Sequence, residues 1–160
     1  METTEGERRA LEALQASGIP HVVARHGRVS SLAEAAAARG IDPSQVVKTI
    51  VVRRGDDDYL FVLVPGDRTI AWPRLRELLG VNRLSMPDAA TARDVTGYER
   101  GTITPFGSLH PWPVIADARV HGLVSIGAGA HGVSATLEGA ELVRVLGATV
   151  ADVTDPAPDA

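Results

Sequence analysis

Two apolar, β-branched runs, "VVKTIVV" from Val46 to Val52 and "YLFVLVPG" from Tyr59 to Gly66, face each other across the acidic triplet Asp56 to Asp58. Valine, isoleucine and aromatic residues suit a pleated strand and the acidic triplet suits a solvated turn, so the pair predicts a central antiparallel hairpin. Neither run alternates strictly with polar residues, which predicts cover on both of its faces. The rest of the chain must supply that cover. With 160 residues, 44% of them hydrophobic and 22% charged, it has material for one core and fits one domain.

The flanking segments read as that cover. Arg8 to Ser17 carries Leu11 and Leu14 on one face and stops at Gly18 with Pro20 beyond, which predicts a helix. "HVVAR" reads as a short strand. Ser31 with Glu34 forms a capping-box signal for the alanine-rich run to Arg39, closed by Gly40. Asp42 and Pro43 repeat a helix start, but the β-branched run from Val46 takes over as strand. Helices are predicted in "IAWPRLRELLG" and "MPDAATARDVTG", strands in "VIADARV", "GLVSIGAGA" and "VSATLE", and a last helix in "GAELVRVLG". The expected fold is α+β: a single domain over residues 1–154, with a curved mixed sheet of about six or seven strands, barrel-like at its core and surrounded by helices. Residues 155–160, "DPAPDA", are expected to form a disordered tail.

Several chemistries are excluded or disfavoured at this level. The chain has no cysteine, so it has no disulfide, thiolate nucleophile or thiolate-bound zinc. None of the five histidines forms a metal-binding pair at helical or tight strand spacing, and no metal or other cofactor is expected. The Gly-x-Ser-x-Gly elbow of serine hydrolases is absent, as are the P-loop and the dinucleotide fingerprint. A net charge of −4 argues against bulk nucleic-acid binding and no DNA partner is expected, although arginines clustered on one face could hold a short phosphate segment. No apolar run reaches the length of a membrane span, and the charged start "METTEGERRALEAL" is unlike a secretion signal, so the expected location is cytoplasmic, with no membrane partner.

Of sixteen basic residues only Lys48 is a lysine, and it sits inside the first apolar run. On a strand it shares a face with Val46 and Ile50, while Thr49 points the other way with Val47 and Val51. Two readings stay open from the residues alone: an edge position whose long stem reaches water, or an ammonium held in a cleft for an anionic or polar ligand. The segment "GTITPFG", Gly101 to Gly107, is the second candidate, because glycines permit close backbone approach and proline stiffens the loop, although a plain surface turn has the same composition. A third, "GAGAHGVS", sets His131 among glycines with no phosphate-binding spacing.

The order "VVKTIVV", "LFVLVPGDRTI", "LLGVNRLSMPDAATARDVTGYERGTITPFG", "WPVIAD" and "VSIGAGAHGVSATLEGAELVRVLGATVADV" resembles the YbaK/ProX family of aminoacyl-tRNA deacylases, relatives of the editing insertion of bacterial prolyl-tRNA synthetase. The resemblance spans Ile19 to Val153. Its most specific elements are the pair Lys48 and Thr49 and the Gly-x-x-x-Pro loop from Gly101 to Pro105.

The resemblance implies a pocket for the aminoacylated 3′ end of tRNA between the lysine strand and that loop, and hydrolysis of the ester on a mischarged tRNA without metal or protein nucleophile. Lys48 would hold the substrate through its carbonyl or terminal phosphate. The amides of Gly101 to Pro105 would position the ester and stabilise its oxyanion. The implied substrate-binding residues are His26, Thr49, Ile103, Thr104, Phe106, Gly107, Gly127 and His131. Water would attack, and an aminoacyl-tRNA synthetase is a further expected partner. Many relatives carry a basic residue before glycine, or a His-Pro-Leu element, after the glycine-rich strand, where this chain reads "AHGVSAT". That departure leaves open the role of His131 and which amino acid is removed. A non-catalytic module of the same fold, binding tRNA ends or a synthetase or acting as a regulatory module, is the alternative.

Overall fold

The structure, a computed structural model, describes residues 4–27 and 31–158. The predicted hairpin is its centre: β2 (Val47–Gly55) and β3 (Asp58–Pro65) pair antiparallel, with Lys48 opposite Val64 and Val52 opposite Leu60. Asp57 turns the chain with φ 53°, a left-handed conformation that Asp tolerates better than most residues. Both faces of β3 are covered. Phe61 and Leu63 join one core cluster with Ala10, Leu14, Tyr98 and Ile126, while Leu60, Val62 and Val64 join another with Leu75, Ile115 and Val153.

The first cluster is closed by α1 (Glu5–Ser17), whose Ala10 and Leu14 are fully buried, and by α5 (Gly139–Leu146). The second lies under α3 (Trp72–Leu79) through Leu75. Two further helices are α2 (Leu32–Arg39), capped by Ser31, and α4 (Ala89–Thr96), capped by Asp88. Pro87 therefore precedes the cap instead of lying in the first turn. After α2, Pro43–Gln45 make one 3-10 turn before the strand takes over.

The strands form three sheets, curved and not closed into a barrel. The largest is mixed, in the order β2, β3, β5 (Val114–Asp117), β8 (Thr149–Ala151), with β5 parallel to both of its neighbours. An antiparallel sheet runs β1 (His21–Arg25), β7 (Val133–Glu138), β6 (Leu123–Gly127). A parallel bridge from Val46 to Ser125 joins this sheet to the start of β2. The third pairs β4 (Arg68–Ile70) with β9 (Thr154–Pro156). Strand β9 takes in Asp155 and Pro156, which the sequence assigns to a disordered tail. Backbone pairing to Thr69 and Arg68 holds them, and no local pattern announces such a partner. Positions 159 and 160 of that tail lie outside the described residues. Among the described residues no helix is long and apolar enough to cross a membrane.

The end of the chain is tied down by Asp117, which is fully buried at the end of β5. Its Oδ1 accepts from the Val153 amide at 3.1 Å and the Thr154 hydroxyl at 2.9 Å, and its Oδ2 accepts from the Arg119 amide at 3.1 Å. Asp117→Ala strands two buried donors, so it should lower unfolding free energy by about 3 kcal/mol. Urea denaturation measures this, and a loss below about 1 kcal/mol would show that the carboxylate is replaceable.

Candidate functional site

Lys48 leaves β2 on the same face as Val46, and its ammonium donates to the carbonyl of Arg68 in β4 at 3.0 Å. The side chain as a whole is open to solvent, but its head is partly desolvated. Burial pushes the ammonium's pKa down, and the carboxylate of Asp67 pulls it partly back up. Asp67 follows Gly66, where a Cβ would stand 2.6 Å from the Pro43 carbonyl oxygen and 2.9 Å from that of Val46. Only glycine allows β3 to turn that close to the entry of β2. Thr49 points to the other face, and its hydroxyl is buried without a hydrogen-bond partner.

The register of the sheets places Lys48 more fully. In the bridge between Val46 and Ser125 the two strands run parallel, so two residues on come Lys48 and Gly127. Gly127 is opposite Ser134, and Ser134 is opposite Ala24. Residues opposite one another share a face, so Ala24, Ser134 and Gly127 form one row, and the bridge places Lys48 and Val64 on that same face. The neighbouring row is Val22, Thr136, Ser125 and Val46. Toward β6, β7 and β1 the face continues in small residues, Gly127, Ser134 and Ala24.

The loop from Gly101 to Gly107 passes beside Gly127 at the edge of this face. A Cβ on Gly127 would lie 3.6 Å from the carbonyl oxygen of Thr102 and 3.7 Å from that of Ile103. Thr102, Ile103, Thr104 and Phe106 are buried, so the loop presents backbone to the row and side chains to the core. Gly101 has φ 92° and Pro105 holds Thr104 extended. The amides of Gly101, Ile103 and Thr104 donate to no acceptor among the described residues. They are unengaged donors in a stiff segment.

That stiffness has identifiable sources. The Tyr98 hydroxyl donates to the Phe106 carbonyl at 2.6 Å, and burial pushes its pKa up to about 12, so it stays a neutral donor. Arg9 on α1 donates to the carbonyls of Gly107 at 3.1 Å and Gly97 at 3.0 Å while its guanidinium stacks on Tyr98, 4.8 Å from the ring centroid. Gly107 has φ 72°, and a Cβ there would stand 2.5 Å from the Arg9 carbonyl oxygen.

The histidines lie at the margins. His131 is exposed, with Nε2 3.4 Å from Glu99 Oε2, and its Cε1 lies 3.6 Å from where a Gly101 Cβ would be. His26 follows β1. Its Nδ1 is 3.0 Å from the Gly27 carbonyl, and its Nε2 is buried with no partner. Among the described residues no group of three His, Cys, Asp or Glu could hold a metal ion.

Residues 26–145 match the model of the aminoacyl-tRNA editing domain. The chain belongs to that family. The editing domain is 27% identical to a proline–tRNA ligase of Bacillus licheniformis over 164 residues, which take in 99% of this chain and 27% of the ligase. A second proline–tRNA ligase, of Desulforamulus reducens, is 35% identical over 98 residues, 61% of this chain and 17% of that one. The chain therefore spans only a minor part of the length of these ligases. Among solved structures, one described as a candidate trans-editing enzyme for prolyl tRNA synthetase superposes with a TM-score of 0.86 at 25% identity, covering 96% of this chain and 99% of its own. A hypothetical protein superposes with a TM-score of 0.84 at 27% identity, covering 92% and 99%.

Two features of this editing domain escape sequence reasoning. Arg39, at the end of an alanine-rich helix, looks like an ordinary terminal cation but reaches Ser125 across the small-residue face, with Nη1 to Oγ 3.2 Å. Second, Arg53, Arg54, Arg76 and Arg83 line one cleft. Arg53 and Arg54 are paired with Asp56 and Asp58, whereas Arg76 and Arg83 have no ion-pair partner among the described residues. The cleft begins five residues along β2 from Lys48, about 17 Å at the rise of an extended strand.

Proposed function

We propose that this editing domain is a deacylase that acts in trans on mischarged tRNA, hydrolysing the ester between the amino acid and the terminal adenosine. The observation that carries the reading is that Lys48 and Gly127 lie on one face, and that the loop whose Gly101, Ile103 and Thr104 amides are unengaged among the described residues passes beside Gly127. Lys48 binds the substrate through its carbonyl or the terminal phosphate. As water attacks the ester carbon, negative charge grows on the carbonyl oxygen, and the amides within Gly101 to Pro105 hold it. The carbon–oxygen bond to the ribose then breaks, the ribose oxygen takes the proton that water gives up, and a free amino acid leaves.

Pro105 and the Arg9 and Tyr98 contacts keep the amides in place before substrate arrives, which is what makes such donors effective. His26, Gly127 and His131 border the bound end, and Ile103, Thr104, Phe106 and Gly107 set the course of the loop. Thr49 acts from the opposite face of β2 by fixing the strand. The arginine cleft suits phosphates of the tRNA strand that leads to the 3′ end, a local contact compatible with a net negative chain.

The test is incubation with a panel of correctly and incorrectly charged tRNAs, including alanyl-, cysteinyl- and seryl-tRNA, scored for ester loss. Folded protein that hydrolyses none of them would overturn the reading and favour a binding module. Because no metal-ligand cluster is present among the described residues, activity should be unchanged after exhaustive chelation. Activity lost on chelation and restored by a single added metal would contradict that.

A further inference from the structure

The face that carries Lys48 and Gly127 holds a second set of polar groups, to which the ester chemistry gives no part. Arg39 is half-buried, its Nε is buried without an acceptor, and burial lowers its pKa. No carboxylate among the described residues pairs with it. Among the described residues its side chain donates to the hydroxyl of Ser125, which is fully buried. Ser134 is also fully buried, and its hydroxyl has no partner at all.

Register brings these groups together. Ser125 is opposite Thr136 and Gly127 is opposite Ser134, so Ser125 and Ser134 are diagonal neighbours on one face, about 7 Å apart by the usual spacing of such pairs. Arg39 comes to that face from α2, whose Ala35 and Ala36, one turn earlier, are buried. Ala24 and Gly127 flank the serines in the same row. Small residues therefore surround a buried guanidinium nitrogen and a buried hydroxyl that both lack partners. Buried polar groups are rarely left in that state. An occupant with an oxygen acceptor offers the missing partner to Arg39 Nε or to Ser134 Oγ.

We infer that Arg39, Ser125 and Ser134 form the subsite for the amino acid's side chain, and that it selects a short side chain bearing an oxygen acceptor over alanine. The acceptor is the shared chemistry of a hydroxyl and a carboxylate. This inference rests on the editing reading. It concerns which ester is chosen, whereas Lys48 and the loop concern how any ester is cleaved. A site built to hydrogen-bond a substrate group discriminates against the analogue that lacks it far more strongly than an apolar pocket separates two similar sizes.

The experiment compares initial hydrolysis rates on seryl-, aspartyl- and alanyl-tRNA, for the full chain and for Arg39→Met and Ser134→Ala. The expected result is a preference of about tenfold or more for the seryl or the aspartyl ester over the alanyl ester. The faster of the two identifies hydroxyl or carboxylate as the preferred acceptor. Both substitutions should bring that ratio toward one. Ser134→Ala removes only a hydroxyl that has no partner, so it tests the subsite even if Arg39→Met fails to fold. Hydrolysis of all three esters at similar rates, or a preference that survives both substitutions, would overturn the subsite and leave the editing reading standing. Hydrolysis of none would overturn both.

Discussion

Lys48→Ala should abolish measurable deacylation while leaving the protein at least as stable as the wild type. The other cation on that face, Arg39, is engaged with Ser125, so without the ammonium the substrate carbonyl or terminal phosphate loses the charged partner proposed for it. Its effect on stability has the opposite sign. Burial lowers its pKa in the folded chain, so folding disfavours the charged form. That cost is fully present at neutral pH, where the side chain is protonated whether folded or unfolded. It fades as pH rises through the lowered folded value toward the ordinary lysine value. The stability advantage of Lys48→Ala should therefore be seen at neutral pH and shrink in the alkaline range. Lys48→Arg should also hydrolyse poorly, because a planar fork does not fit where a compact ammonium meets the Arg68 carbonyl. Thermal midpoint and single-turnover hydrolysis are the paired measurements. A Lys48→Ala protein that unfolds, beside a fully active Lys48→Arg, would make this a structural charge.

Gly101→Val should reduce the hydrolysis rate by about 10²–10³-fold, the usual cost of one lost oxyanion donor. Space is not the obstacle, since the nearest atom to an added Cβ is His131 Cε1 at 3.6 Å, an ordinary contact. The obstacle is the backbone, because φ 92° is a conformation a β-branched residue resists. Relaxing it rotates the peptide and moves the neighbouring amides off the face they serve. The core residues of the loop remain buried, so the thermal midpoint should move little. Near-normal turnover in this variant would reduce the segment to a surface turn.

The parts of the fold that depend on local chemistry were legible in the residues. The hairpin of β2 and β3 follows from composition and an acidic turn, and the five helices of the described residues all end at glycine stops, three of them with side-chain caps. The strands that escaped, β4, β8 and β9, are three residues long and owe their existence to distant partners, as Arg68 does to Pro156 and Ile115 does to Thr149. The division into separate sheets escaped for the same reason, since the strand pairing shown between them among the described residues is the single bridge from Val46 to Ser125. The alternation of Lys48 and Thr49 was readable from a period of two. What was not readable is that Gly127 and Ser134 continue the lysine's face, because register between strands far apart in sequence leaves no mark on either one. Arg39 was hidden for a related reason: a cation at a helix end is ordinary until the face it meets is known.

The anchoring of the loop by Arg9 bears on where this molecule can be cut. Arg9 is outside residues 26–145, the segment that matches the family model, yet it grips the carbonyls of Gly97, upstream of the loop, and Gly107, at its end, and lies on the tyrosine between them. Helix α1 is in this sense a brace, fastened across an arch whose stones all belong to the motif. A fragment trimmed to the motif would keep every residue by which the family is recognised and lose the tie that stops the arch from spreading. The smallest self-braced unit is therefore larger than the smallest recognisable one, and the difference includes a helix that carries no signature.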